Sequence, residues 1–219
     1  MRNRNSRGGR RARFEALEDR RVLATLTINS DADAFSNVND GSLTLREAID
    51  IVNGDYLPAD IPGSPDDREQ IDNVSLLGTN DRIVFDSSLF GAPGTPGSID
   101  LIHGELEVEQ SVVIDGGGYD PATGMDDGLL GWSKLTIDAG GLSRAYNIYV
   151  GASDSVTVKE ISMTGGNSVG GGTPGGAGGA INAAINHGEL ILDNLQFLDN
   201  SANRWGGAMA VSAITLIAA

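Results

Sequence analysis

Gly178-Gly179-Ala180-Ile181 returns 28 positions later as Gly206-Gly207-Ala208-Met209. A return of that length is too long for a hairpin and falls within the roughly 20 to 50 residues that make one unit of a stacked-repeat architecture. Between the copies lie Leu190-Ile191-Leu192-Asp193-Asn194 and Leu195-Gln196-Phe197-Leu198-Asp199-Asn200, two short apolar runs that each end in Asp-Asn. Asp and Asn turn a chain by bonding their own backbone, so each run reads as a strand of three to five residues followed by a corner. The stretch from Gly104 to Asp115 echoes the one from Gly188, with the same Gly-Glu-Leu opening.

Working upstream, the same texture continues. Ile83-Val84-Phe85, Ile99-Asp100-Leu101-Ile102, Val112-Val113-Ile114, Leu135-Thr136-Ile137, Tyr146 to Val150, Val156-Thr157-Val158 and Ile161-Ser162-Met163 are brief β-type runs with no helical period through them. Parallel strands joined by βαβ crossovers need helices that this stretch lacks, and the spacing is too irregular for two-residue hairpins. A coil in which each strand pairs with its counterpart one turn later satisfies both conditions, with turns about 4.8 Å apart and inward side chains stacked in ladders. The expected fold is therefore all-β, a right-handed parallel β-helix, which resembles the pectin-lyase-like fold.

One helix is expected before it. Thr44 and Glu47 have capping-box spacing, Leu45, Ala48, Ile49 and Val52 share a face, and Asn53-Gly54 supplies the stop. Such a helix would cover the open end of a stacked core. The organisation reads as a basic tail over 1–24 with a short helix over 14–24, a capping segment over 25–55, a proline-rich and aspartate-rich linker over 56–80, and the β-helix over 81–219. The apolar stretch Met209 to Ala219, with no further Phe-x-x-Asn turn or polar cap, reads as a truncated end.

Composition narrows the function. The formal net charge of −15 divides into a tail with eight Arg and three acids over residues 1 to 21 and a strongly acidic remainder holding seven basic residues. An acidic body disfavours nucleic-acid binding, which needs Lys and Arg on the folded face. No apolar run approaches the roughly 20 residues that span a bilayer. With no cysteine, disulfides and thiolate metal sites are excluded, and His103 and His187 stand alone, in turn or packing roles. The glycine run Gly165 to Gly179 lacks the Gly-Lys-Ser/Thr ending of a phosphate loop and reads as a mobile loop.

Three stretches resemble known families. Phe14-Glu15-Ala16-Leu17-Glu18-Asp19-Arg20-Arg21-Val22-Leu23 resembles the amino-terminal sorting element of large exported planctomycete proteins, which implies export to the surface. Leu43-Thr44-Leu45-Arg46-Glu47-Ala48-Ile49 resembles the Cys-Ser-Leu-Arg-Glu-Ala domain that opens many bacterial surface β-helix proteins, with Leu43 in place of the family cysteine. Gly178 to Ile181 with Phe197 to Asn200 is similar to the repeats of chlamydial polymorphic outer-membrane proteins, which are adhesin-like β-helices.

Three functions compete. A secreted or cell-surface display or adhesive scaffold, binding cell-surface glycans or proteins through its turns, leads, because it requires no catalytic residues. A polysaccharide lyase or hydrolase on the same fold would use clustered carboxylates, with Asp115, Asp138, Asp193 and Asp199 as candidates and Lys159 or Arg144 as the basic donor near them. Glycosidase pairs stand about 5 to 9.5 Å apart. The third is a calcium module on the oxygen cluster of Asp31, Asp33, Asn37, Asn39 and Asp40, since hard cations take such ligands.

Overall fold

The computed structural model describes residues 23–34, 41–55, 70–78, 80–89, 97–120, 125–126, 135–168 and 176–214. The chain is mostly β, with parallel sheets that do not close into a barrel. β1 (Thr25–Ile28) comes first, then the helix α1 (Leu45–Asn53). A first pass of strands follows as β2 (Asp81–Asp86), β3 (Ser98–Asp100) and β4 (Leu106–Val108). The second pass is β5 (Val112–Asp120), the two-residue antiparallel partner β6 (Met125–Asp126), β7 (Leu135–Asp138) and β8 (Tyr146–Val150). The third is β9 (Ser155–Lys159), β10 (Ile161–Thr164), β11 (Asn167–Ser168) and β12 (Ile181–Asn186). The fourth is β13 (Glu189–Asp193), β14 (Gln196–Leu198), β15 (Ser201–Ala202) and β16 (Met209–Ile214).

Each pass visits three sheets in the same order. Sheet I runs β1-β2-β5-β9-β13, sheet II β3-β7-β10-β14 and sheet III β4-β8-β12-β16, while β11 and β15 pair at a corner. Inward residues consequently stack on their counterparts. Leu26, Ile83, Ile114, Val158 and Leu192 form one ladder, Ile99, Ile137, Met163 and Phe197 a second, and Leu106, Tyr146, Ile181 and Met209 a third. All but the last rung of each are buried. Tyr146 is the largest of them, and its hydroxyl has no hydrogen-bond partner among the described residues. An unmet buried hydroxyl costs about 1 kcal/mol or more, so Tyr146→Phe is expected to raise the denaturation midpoint.

The recurring glycines have a steric cause. Gly178 and Gly206 sit at φ +63° and +61°, and a Cβ on either would strike the carbonyl three residues on, that of Ile181 or Met209. A Cβ on Gly179 would meet the carbonyls of Gly207 and Ser201 in the next pass. Without those methyl groups the two copies stack in register, Ile181 against Met209, with the Ala180 amide donating to the Ala208 carbonyl at 2.7 Å. The Phe-x-x-Asn stretch is equally local. Phe197 faces Met163 on the core side, and the Asn200 side chain reaches into the pass below, donating to the Met163 carbonyl at 2.9 Å and accepting from the Gly166 amide at 2.8 Å. Asn200→Ala removes both bonds and is expected to cost about 2 kcal/mol, read as a shift in urea midpoint at unchanged m-value.

One expectation changes. The Gly104 and Gly188 stretches do not stack: Leu106 faces Tyr146 in sheet III, whereas Leu190 faces Val156 in sheet I. They share turn chemistry only, a left-handed residue (Gly104 in one, His187 in the other) ahead of an inward Leu. The ends of the glycine run carry strand pairing, since β11 pairs with β15 and Ala177 bridges to Trp205. Its residues 169–175 lie outside the described residues, as do 56–69 of the linker and residues 14–22 of the short helix. β1 was not anticipated, and it places the capping segment inside sheet I.

Candidate functional site

Polar side chains gather first around α1. Thr44 and Glu47 form the capping box, with the Thr44 amide donating to Glu47 Oε2 at 2.9 Å, and Gly54 at φ +87° ends the helix. Leu45, Ala48, Ile49 and Val52 are buried, and the helix packs on β1, β2 and β4. Arg46 leaves this apolar face as a buried ion. Its Nε donates to Asp33 Oδ1 at 2.6 Å and its Nη2 to Asp33 Oδ2 at 3.1 Å, while Nη1 and Nη2 also reach the Glu105 and Gly104 carbonyls. Asp33 Oδ2 accepts from the Ile102 and His103 amides at 2.7 and 2.9 Å. Burial alone would raise the Asp33 pKa, but the hydrogen bonds from Arg46 and the two amides outweigh it and hold the carboxyl below its ordinary value.

This geometry bears on the calcium candidates. Both Asp33 oxygens are engaged by the guanidinium and two amides, so the carboxylate acts as a clamp on the loop between β3 and β4. Asp31 is exposed, and Asn37, Asn39 and Asp40 lie outside the described residues. Among the described residues no group of three or more His, Asp and Glu is arranged to hold a metal ion.

The second polar centre is on the outer face of sheet I. Register aligns Val84, Asp115, Lys159 and Asp193 in one column. Asp115 Oδ2 accepts from Lys159 Nζ and from Arg82 Nη2, each at 2.7 Å. The Asp115 side chain is 3% exposed, against 30% for Lys159 and 28% for Arg82, so the two cations roof the carboxylate. Burial again works to raise the pKa, and the bonds from Lys159 and Arg82 more than reverse it. Asp193, exposed, is the strand partner of Lys159 and stands two rungs from Asp115, about 10 Å along the column.

The other two candidate acids are elsewhere. Asp138 ends β7 in sheet II, where its Oδ1 accepts from the Gly140 amide at 2.8 Å as a turn residue. Asp199 occupies the left-handed corner after β14, at φ +50°. The fold thus brings Asp115 and Asp193 to one column with Lys159 between them, and assigns Asp138 and Asp199 to corners. Arg82 was missed in the sequence; its signal was its place as the outward residue between Asp81 and Ile83. Arg144 pairs instead with Glu105 at 2.6 Å and donates from Nε to the Ala177 carbonyl, tying three passes together at the corner before sheet III. His103 and His187 both lie in exposed turns.

No family model, curated protein or solved structure matches this chain. Among the described residues no helix is long and apolar enough to cross a membrane.

The Asp115 cluster carries a pH prediction. A folded pKa below the unfolded value adds stability that is present above the ordinary carboxyl value of 3.8 and is lost as pH falls through the folded value. Asp115→Asn is therefore expected to cost about 1 to 2 kcal/mol near neutrality, the cations being partly in water, and to flatten the loss of stability below about pH 4. Denaturation midpoints measured across that range for both proteins check it.

Proposed function

We propose that the chain is a right-handed parallel β-helix, exported to the cell surface or the medium, that serves as a display or adhesive scaffold for cell-surface glycans or proteins. The observation that carries the reading is that the rungs align from pass to pass, with one register shift between β2 and β5 past Val84, while the corners differ in length. Val112 faces Val156, 44 residues on, while Val156 faces Leu190, 34 on, and Ile181 faces Met209, 28 on. Length varies at the corners while the rungs stay aligned, which is how a rigid stack carries variable binding loops. The right hand follows from the handedness of parallel crossovers. The roles of the candidate acids agree: Asp115 is neutralised by two cations and Asp138 is engaged in its own turn.

Two experiments test the reading. Tagged protein lacking residues 1–24 should stay inside the cell while the full-length protein reaches the envelope or medium; export of both forms would remove the sorting element from the argument. Shortening residues 169–175 should abolish binding to cells or a glycan panel while leaving the circular dichroism spectrum unchanged, and retained binding would count against display through that corner.

A polysaccharide lyase or hydrolase is the second reading, favoured by the placing of Lys159 between Asp115 and Asp193. In this arrangement Asp115 is a poor general acid, since it is held ionised, and Lys159 is a poor base while it is paired with Asp115. Release of unsaturated products from polyuronate by the wild type, lost in Lys159→Ala, would establish the enzyme reading over the scaffold.

A further inference from the structure

Asn53-Gly54 is the single Asn-Gly dipeptide of the sequence, and it stands where α1 meets the edge of β4. Among the described residues β4 pairs with β8 on one side only. On its other side the Asn53 carboxamide takes the place of a strand's peptide group, with Nδ2 donating to the Glu107 carbonyl at 2.8 Å and Oδ1 accepting from the Glu109 amide at 2.9 Å. Gly54 in turn donates its amide hydrogen to the Ile51 carbonyl at 3.1 Å. Both atoms that react when an Asn-Gly pair cyclises are therefore held, the side-chain carbon by the edge of β4 and the backbone nitrogen by the helix end.

We infer that Asn53 is a deamidation site that the docked helix protects and that undocking exposes, so that its conversion is an irreversible unlatching of α1 from β4. In the undocked segment the Gly54 nitrogen gives up its proton and attacks Asn53 Cγ, and the C–N bond to the side-chain nitrogen breaks with release of ammonia. Water then opens the cyclic imide to aspartate or isoaspartate. The product has no Nδ2 donor for the Glu107 carbonyl. It also places a new negative charge at the negative pole of a helix whose last turn has no basic residue.

The surroundings make that charge unwelcome. Asp50 is faced by Asp55 and Glu47 on its own segment and by Glu107 on β4. Among the described residues the cation that faces it, Arg46, is already bonded to Asp33. Burial, with Asp55, Glu47 and Glu107 adding to it, pushes the Asp50 pKa up to about 6, so this corner already resists ionisation.

The test uses the full 219-residue protein, incubated at neutral pH in buffer and in urea, with the acid content at position 53 followed by peptide mass mapping. Conversion should be at least about tenfold slower in buffer than in urea, as expected for a site reached only by local opening. Equal rates would overturn the protection. Hydrogen exchange of Asn53→Asp, the mimic of the product, should speed up over Ile49 to Asp55 with no change over Ile181 to Asn186. An unaltered helix end in that variant would overturn the latch.

Discussion

Gly178→Ala is expected to lower stability by about 2 to 5 kcal/mol, the sum of a left-handed backbone penalty of about 1 to 2 kcal/mol and an overpacking penalty of about 1 to 3 kcal/mol. The methyl would meet the Ile181 carbonyl, which lies in the strand that pairs with both β8 and β16, so relief by a local shift breaks register on two sides. Gly141→Ala separates the two contributions. Gly141 has a similar φ of +74°, but among the described residues nothing lies within 4 Å of its Cβ position, so only the backbone penalty applies. Equilibrium denaturation of both variants checks the difference. Equal losses would mean that the carbonyl moves aside freely and that the first glycine of the repeat is required for its backbone angle alone.

Arg46→Met should cost about 3 to 5 kcal/mol, because it keeps the apolar bulk of the side chain but leaves the Asp33 carboxylate buried without its guanidinium. Two backbone amides remain on Asp33, too few to replace the ion pair in the interior. Two further measurements identify the cause. The deficit should shrink as pH is lowered, since an unpaired buried carboxylate takes up a proton at a higher pH than the paired one. Adding Asp33→Asn, which keeps an acceptor for the Ile102 and His103 amides while removing the charge, should recover more than half of the loss. A deficit independent of pH and unrelieved by Asp33→Asn would place the contribution of Arg46 in its bonds to the Gly104 and Glu105 carbonyls instead.

The strands that could be read in advance were those with β-branched or aromatic side chains on the inward rungs, such as Val156-Thr157-Val158 and Leu135-Thr136-Ile137. β12 and β16 were visible only through their Gly-Gly-Ala openings. Their bodies, Ile181 to Asn186 and Met209 to Ile214, are rich in alanine, which has little strand preference of its own and is placed there by close packing between rungs. β4 has only two apolar residues, Leu106 and Val108, separated by an acid, and β1 precedes its partner β2 by more than fifty residues. The Leu-Thr-Ile alternation of β1 and the Leu-Glu-Val of β4 are local strand patterns, but each is too short to stand out alone.

The candidate site divides in the same way. The grouping of Asp115 and Asp193 with Lys159 was one of several combinations open to four strand-ending acids and two cations. Which combination forms depends on register: Lys159 faces Asp115 on one side and Asp193 on the other because β9 sits between β5 and β13. Arg82 joins them from the pass below, one column over, a neighbour more than thirty positions away in sequence.

By itself the sequence determined the short parallel strands, the capped helix from Thr44 to Gly54 and the 28-residue return of Gly-Gly-Ala. Each of these follows from interactions within a few residues: an alternation of side chains, a capping box, a glycine whose Cβ has no room. The tertiary structure alone decided that Asp33 closes on Arg46, that Asn53 covers the free edge of β4, and that one carboxylate of the four lies beneath two cations. Those are contacts between passes of the chain, set by how many residues each corner takes up before the next rung begins, and corner length follows no period that a single sequence displays.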